Sequence, residues 1–144
     1  VGETTRTGQG IEVITNYYMK KIIFTDKAPA PIGPYSQAVM IGNTLYTSGQ
    51  IAINPETGDL VVSDIENETR QVMENMKAVL DAAGMTFENV IKSTIFISNM
   101  DDFASINTIY GAYFNEKTAP ARETVQVARL PKNVNVEISM IAVL

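Results

Sequence analysis

Only two stretches of this 144-residue chain carry helical periodicity, and that limits the folds open to it. In the first, Ser63-Asp64-Ile65-Glu66 matches a capping box. Ile65, Thr69, Val72, Met73, Met76, Val79, Leu80 and Ala83 then recur at helical spacing until Gly84 stops the run. The second begins at Asp101 or Asp102, where carboxylates complement the helix dipole, and puts Phe103, Ile106, Tyr110, Tyr113 and Phe114 on or near one face. The remaining patterned segments read as strands. Lys21 to Phe24 is a short one, and Ala38 to Ile41 and Thr44 to Ser48 flank the two-residue turn Gly42-Asn43 as a hairpin. Val90 to Ser98 is rich in Ile, Thr and Phe, and two further strands fall between Ala119 and Val143. Two amphipathic helices cover only one face of a sheet of about six strands, so the order predicts an α+β two-layer sandwich.

The last pair of strands places charge on regular backbone. In one, Val125 and Val127 alternate with Arg122, Thr124 and Gln126; in the other, Val134, Val136, Ile138 and Met140 alternate with Asn135, Glu137 and Ser139. The sheet face without helices is expected to carry Arg122, Thr124, Gln126 and Glu137 beside Ile141 and Val143. That mixture is too apolar to be simply solvated, and such a face is usually covered by another subunit.

Composition narrows the chemistry. The chain is long enough for one domain, and its 45% hydrophobic residues supply a core. A formal charge of -5 without a Lys/Arg cluster argues against a nucleic-acid surface. Cysteine and histidine are both absent, which excludes disulfides, thiolate nucleophiles, imidazole bases and the usual zinc sites. No apolar run approaches the ~20 residues of a membrane span, and no secretory leader is visible, so a cytoplasmic protein is expected. Met19-Lys20-Lys21-Ile22 looks like a natural translation start, which makes residues 1–18 an N-terminal extension outside the fold and 19–144 the single domain. Between Asp26 and Pro34, three prolines (Pro29, Pro31 and Pro34) forbid regular structure.

Three motifs resemble the reactive intermediate deaminase, or YjgF, family over almost all of Met19 to Leu144. They are Gly33-Pro34-Tyr35-Ser36-Gln37-Ala38, Thr47-Ser48-Gly49-Gln50, and the spaced pattern Pro120-Ala121-Arg122, Val125, Leu130, Val136, Glu137-Ile138. The resemblance implies a chorismate-mutase-like α+β fold and a homotrimer with helices outside and three sites between neighbouring subunits. It also implies that the last two strands need not be neighbours, although Arg129 to Asn133 alone suggests a hairpin. Its members hydrolyse imines and enamines such as 2-iminobutanoate and 2-aminoacrylate to 2-oxo acids and ammonia. Two positions depart from some members: Glu123 stands where a small residue is common, and Thr124 where some carry Cys. By alternation Glu123 faces away from Arg122.

A small planar 2-imino acid, anionic at its carboxylate, suits this residue set. Arg122 is the candidate clamp, because a guanidinium meets a carboxylate with two parallel hydrogen bonds. Glu137 is the candidate for orienting water or moving protons. Tyr35 and Ser48 are placed as pocket-closing catalytic residues, with Gly49 and Thr124 as substrate contacts. Ser48 has no His to activate it, so it is not read as a nucleophile. Neither cofactor nor metal is expected. Two other readings stay open: a non-catalytic trimeric binder of small 2-oxo carboxylates, and an RNA-directed or chaperone-like protein, with the acidic balance weighing against RNA.

Overall fold

A computed structural model describes the backbone of residues 3–7 and 10–14 and all of residues 19–144. Among the described residues, eight strands and two α-helices run in the order β1 (Glu3–Thr7), β2 (Gly10–Ile14), β3 (Lys21–Ile23), β4 (Ala38–Ile41), β5 (Thr44–Thr47), α1 (Ile65–Ala82), β6 (Val90–Ile97), α2 (Phe103–Gly111), β7 (Ala121–Gln126) and β8 (Val136–Val143). β1 and β2 pair with each other and share no ladder with the main sheet. Residues 1–2, 8–9 and 15–18 of the expected extension lie outside the described residues.

The main sheet has six strands in the order β3-β4-β5-β8-β6-β7. All its pairs are antiparallel except β6 with β7. β5 and β6 both run antiparallel to β8, so they are parallel to each other, with α1 as the crossover and β8 inserted between them. α2 is the crossover from β6 to its parallel neighbour β7. The two helices make one layer against one sheet face, an open α+β sandwich as the spacing predicted. The last two strands are separated by β6, as the resemblance implied.

Local chemistry accounts for the element ends. At the β4–β5 turn, Ile41 pairs with Thr44 and Gly42 takes φ +56, a left-handed value that glycine adopts freely. α1 departs from the expected capping box. Its N-cap is Asp64 rather than Ser63, and the Asp64 carboxylate accepts from the backbone N–H of Asn67 at 2.7 Å and from its side-chain amide at 2.7 Å. A carboxylate satisfies the helix's open donors more strongly than a hydroxyl does. α2 ends at Gly111, so Tyr113 and Phe114 lie just beyond it; both still pack edge-on against Phe87.

The core lies between the sheet and the helices. Val72, Met73, Met76, Val79 and Leu80 of α1 are fully buried against β8, whose Val136, Ile138, Met140 and Ala142 are sealed from solvent at alternate positions. Glu137, Ser139, Ile141 and Val143 therefore face the side without helices. That side also carries exposed Ile22, Tyr46 and Val125. Among the described residues, no helix is long and apolar enough to cross a membrane.

Truncating Ile138 to alanine removes a fully buried side chain from the middle of β8, and the expected loss is about 3 kcal/mol. Lys77→Ala breaks only an exposed helical pair with Asp81 and is expected to change stability by less than about 0.5 kcal/mol. Chemical denaturation of the two variants checks the difference.

Candidate active site

Strand register divides the candidate residues between two places. Tyr35, Ser48, Gly49 and Glu137 meet around a cavity of about 390 Å³. Arg122 lines a separate hollow of about 670 Å³ with Asn107, Tyr110 and Glu116.

The first cavity is built by the proline-rich loop, the end of β5 and the start of β8. Gln37, buried, ties the loop down: its Nε2 donates to the carbonyls of Thr25, Ala28 and Pro29 at 2.9, 3.2 and 2.9 Å, and its Oε1 accepts from Thr25 N–H at 2.8 Å. Ser48 donates from its hydroxyl to Ser36 O at 2.5 Å, which commits its proton to the scaffold. Tyr35 is half-exposed, and its Oη accepts from Ile32 N–H at 3.2 Å, leaving the phenol proton unassigned. On the far wall, Asn75 Nδ2 holds the carbonyls of Ile51 and Ile53 at 3.1 and 2.9 Å. Ile32, Ile51, Ile53 and Pro131 make the lining largely apolar.

Glu137 enters this cavity beside Gly49. Gln50 and Ile138 exchange backbone hydrogen bonds at 2.8 and 3.1 Å, which brings the two segments side by side. A methyl group on Gly49 would overlap Glu137 Oε1 and come within 2.8 Å of its Cδ and 2.9 Å of its Cγ. Glycine is thus required here by close approach rather than by φ. The Glu137 carboxyl is half-buried, and that burial alone pushes its pKa above the ordinary glutamate value. Among the described residues no cation lines the cavity.

Arg122 has different surroundings. β7 lies in register with β6 so that Arg122 stands opposite Ser93, a buried residue whose Oγ accepts from Tyr110 Oη at 2.9 Å. The Arg122 side chain accordingly points toward α2, donating from Nη1 to Asn107 Oδ1 at 2.7 Å. Its guanidinium carbon lies 5.0 Å from the Tyr110 ring centre and 5.7 Å from that of Phe103. Among the described residues no carboxylate forms a salt bridge with it. Thr124, two positions along the same face, has a buried Oγ1 with no hydrogen-bond partner among the described residues.

The expectation that Arg122, Thr124, Gln126 and Glu137 share the uncovered face is therefore corrected. The first three face the helix layer and Glu137 the opposite side, because β7 is an edge strand whose phase is set by its pairing with β6 rather than by apolar alternation. Val125 is exposed on the uncovered face instead of facing the core. Glu123 does lie opposite Arg122, paired with Lys92 Nζ at 2.9 Å and accepting from Thr94 Oγ1 at 3.2 Å. Asn107 was not singled out from sequence, although a lone amide within the apolar face of α2 was a visible signal. Among the described residues, no group of three His, Cys, Asp or Glu side chains could hold a metal ion.

Comparison with known proteins agrees with the motifs. A family model described as Endoribonuclease L-PSP matches residues 25–144. A RutC family protein of Pyrococcus horikoshii is 54% identical over 124 residues, covering 86% of this chain and 98% of the relative. The 2-iminobutanoate/2-iminopropanoate deaminase of Escherichia coli K12 is 49% identical over 127 residues, covering 87% and 98%. Among solved structures, Escherichia coli TdcF with bound serine superposes with a TM-score of 0.81 at 48% identity, covering 86% of this chain and 98% of that one. The Escherichia coli YjgF gene product gives a TM-score of 0.80 at 48% identity, covering 85% and 98%. With these motifs, this sheet order and these relatives, the chain belongs to the endoribonuclease L-PSP family, that of the YjgF-type reactive intermediate deaminases.

Proposed function

We propose that the protein hydrolyses small 2-imino acids and their enamine tautomers, such as 2-iminobutanoate and 2-aminoacrylate, to 2-oxo acids and ammonia. The site is completed between two copies of the chain, in a homotrimer. The observation that carries this reading is complementary incompleteness. Among the described residues, Glu137 lies half-buried in a largely apolar cavity with no cation, while Arg122 sits in a second hollow with no carboxylate salt bridge. Substrate carries the missing groups: a carboxylate for Arg122, and an imine carbon that takes a proton-donating water. The 49% identical Escherichia coli relative named 2-iminobutanoate/2-iminopropanoate deaminase supports the choice of substrate.

In this scheme Arg122 of one copy clamps the substrate carboxylate, with Asn107 and the Tyr110 ring holding the guanidinium in place. Thr124, expected as a substrate contact, lines neither concavity and has its Oγ1 buried, so it takes no part in this scheme. Glu137 of the neighbouring copy, in its ionised form, accepts a proton from water as the oxygen attacks the protonated imine carbon. The tetrahedral adduct then collapses: Glu137 returns its proton to the nitrogen and takes up the adduct's hydroxyl proton as the C–N bond breaks, the C=O bond forms and ammonia leaves, after which the proton passes from Glu137 to solvent. Tyr35 supplies a hydroxyl to the adduct, and Ser48 and Gly49 shape the floor. No step calls for a cofactor. RNA is disfavoured as substrate by the formal charge of -5 and by Arg122 being, among the described residues, the only cation lining either concavity.

With 2-iminobutanoate generated in situ by a threonine dehydratase, wild-type protein should accelerate 2-oxobutanoate and ammonia release. Arg122→Ala should lower kcat/KM by about 100-fold, and Arg122→Lys should fail to restore it because the fork is lost. No acceleration by wild type over buffer removes the enzyme reading, and retained 2-oxobutanoate binding in that case favours the binder.

Glu137→Gln should lower kcat by on the order of 100-fold. Because burial raises the Glu137 pKa, wild-type kcat should fall as pH drops through a midpoint above the ordinary glutamate range, and the Gln variant should lack that limb. A profile flat across that region contradicts a proton role for Glu137.

Gly49→Ala should push the Glu137 side chain aside with little change in melting temperature, since the atoms it meets belong to a flexible side chain, while activity falls at least about 10-fold. Paired thermal melts and rates check this.

A further inference from the structure

One strongly polar group in the core belongs to neither concavity. Glu68, on α1, is fully buried, and among the described residues no cation forms a salt bridge with it. Its carboxylate accepts three hydrogen bonds, all from the two residues before Glu137. Oε2 takes the backbone N–H groups of Asn135 at 2.7 Å and Val136 at 3.0 Å, and Oε1 takes Asn135 Nδ2 at 2.7 Å. Asn135 is held in turn by Ser98, whose Oγ donates to Asn135 Oδ1 at 3.1 Å and whose N–H donates to Asn135 O at 3.0 Å.

Glu137 is thereby fixed from both sides along the chain. Glu68 holds residues 135 and 136 from the helix layer, and Gln50 holds Ile138 through two backbone bonds. The backbone they frame sets where the Glu137 side chain starts, beside Gly49, whose missing side chain leaves the carboxyl its place. A carboxylate sealed in an apolar core is a costly way to satisfy two strand N–H groups. It does so from a rigid helix, with both oxygens used, at the point where β8 starts.

We propose that Glu68 is a positioning residue for Glu137, clamping Asn135 and Val136 from α1 so that the Glu137 carboxylate is held over Gly49. The proposal rests on the catalytic reading of Glu137 above, and its test separates the two. Glu68→Gln keeps the clamp: its Oε1 accepts both backbone N–H groups. Its Nε2 donates to Asn135 Oδ1 once the Asn135 amide turns and donates to Ser98 Oγ. Glu68→Leu fills similar volume but leaves three donors unpaired. Asn135→Ala removes one of the three bonds and keeps the backbone pair.

Each variant is assayed for kcat and KM on 2-iminobutanoate formed in situ, for thermal stability, and for the Glu137 titration midpoint by side-chain carboxyl NMR. Glu68→Gln should stay within about 3-fold of wild type in kcat. Glu68→Leu should lose on the order of 100-fold in kcat with KM changed less than about 3-fold, and its Glu137 midpoint should fall toward the ordinary glutamate value. Asn135→Ala should fall between them and decides the matter if Glu68→Leu does not fold. A destabilised Glu68→Leu or Asn135→Ala with wild-type kcat and Glu137 midpoint overturns the proposal, as does a Gln variant as impaired as Leu. Should wild type show no deaminase activity, the functional reading falls, and the NMR midpoints alone still confirm or overturn the clamp.

Discussion

The alternation along β8 decides where everything else in this protein can stand. Val136, Ile138, Met140 and Ala142 are sealed against the helices, so Glu137 is forced onto the opposite side of the sheet. There it meets backbone rather than side chain, because Gly49 leaves room for it. The same sheet sends Arg122 toward α2, since β7 pairs with β6 at Ser93. One chain thus holds a carboxylate and a guanidinium that its own geometry places in different concavities, each without an opposite charge paired to it among the described residues.

The supporting polar groups share a logic. Gln37, Asn75 and Glu68 are all buried, and each hydrogen-bonds backbone of a segment beside the Glu137 cavity. Gln37 fastens the proline-rich loop, Asn75 the Ile51–Ile53 wall, and Glu68 the entrance to β8. Apolar packing has no direction and would leave such segments free to slide by fractions of an ångström. Hydrogen bonds from fixed positions remove that freedom, which matters where a reacting group must be placed to well under 1 Å.

Much of this was legible in the chain itself. The 3.6-residue spacing from Ile65 to Ala83, the Gly42-Asn43 turn and the alternation of β8 each state one local fact, and together they leave an α+β sandwich. The family motifs contain Tyr35, Ser48, Gly49, Arg122 and Glu137. The phase of β7 was not legible. An edge strand has no buried face to impose a pattern, so the valines at 125 and 127 suggested the wrong inside, and only pairing with β6 sets which way Arg122 points. Nor could sequence show Glu68: a glutamate in the first turn of a helix reads as a dipole partner, and its role as a clamp depends on a strand 67 residues away. Asn107 was not singled out because a lone amide on a helix face has no partner in the sequence, and only the pairing of β7 with β6 brings Arg122 beside it.

If the two half-sites are joined between copies, a defect in each can be repaired by the other. The most direct measurement co-refolds Arg122→Ala with Glu137→Gln in equal amounts and follows hydrolysis of 2-iminobutanoate. Random assembly pairs an intact Arg122 with an intact Glu137 in about a quarter of the sites, so roughly that share of wild-type activity should return. A mixture no more active than its two separate components would mean that Arg122 and Glu137 do not meet across subunits, and the account of a shared site would fail.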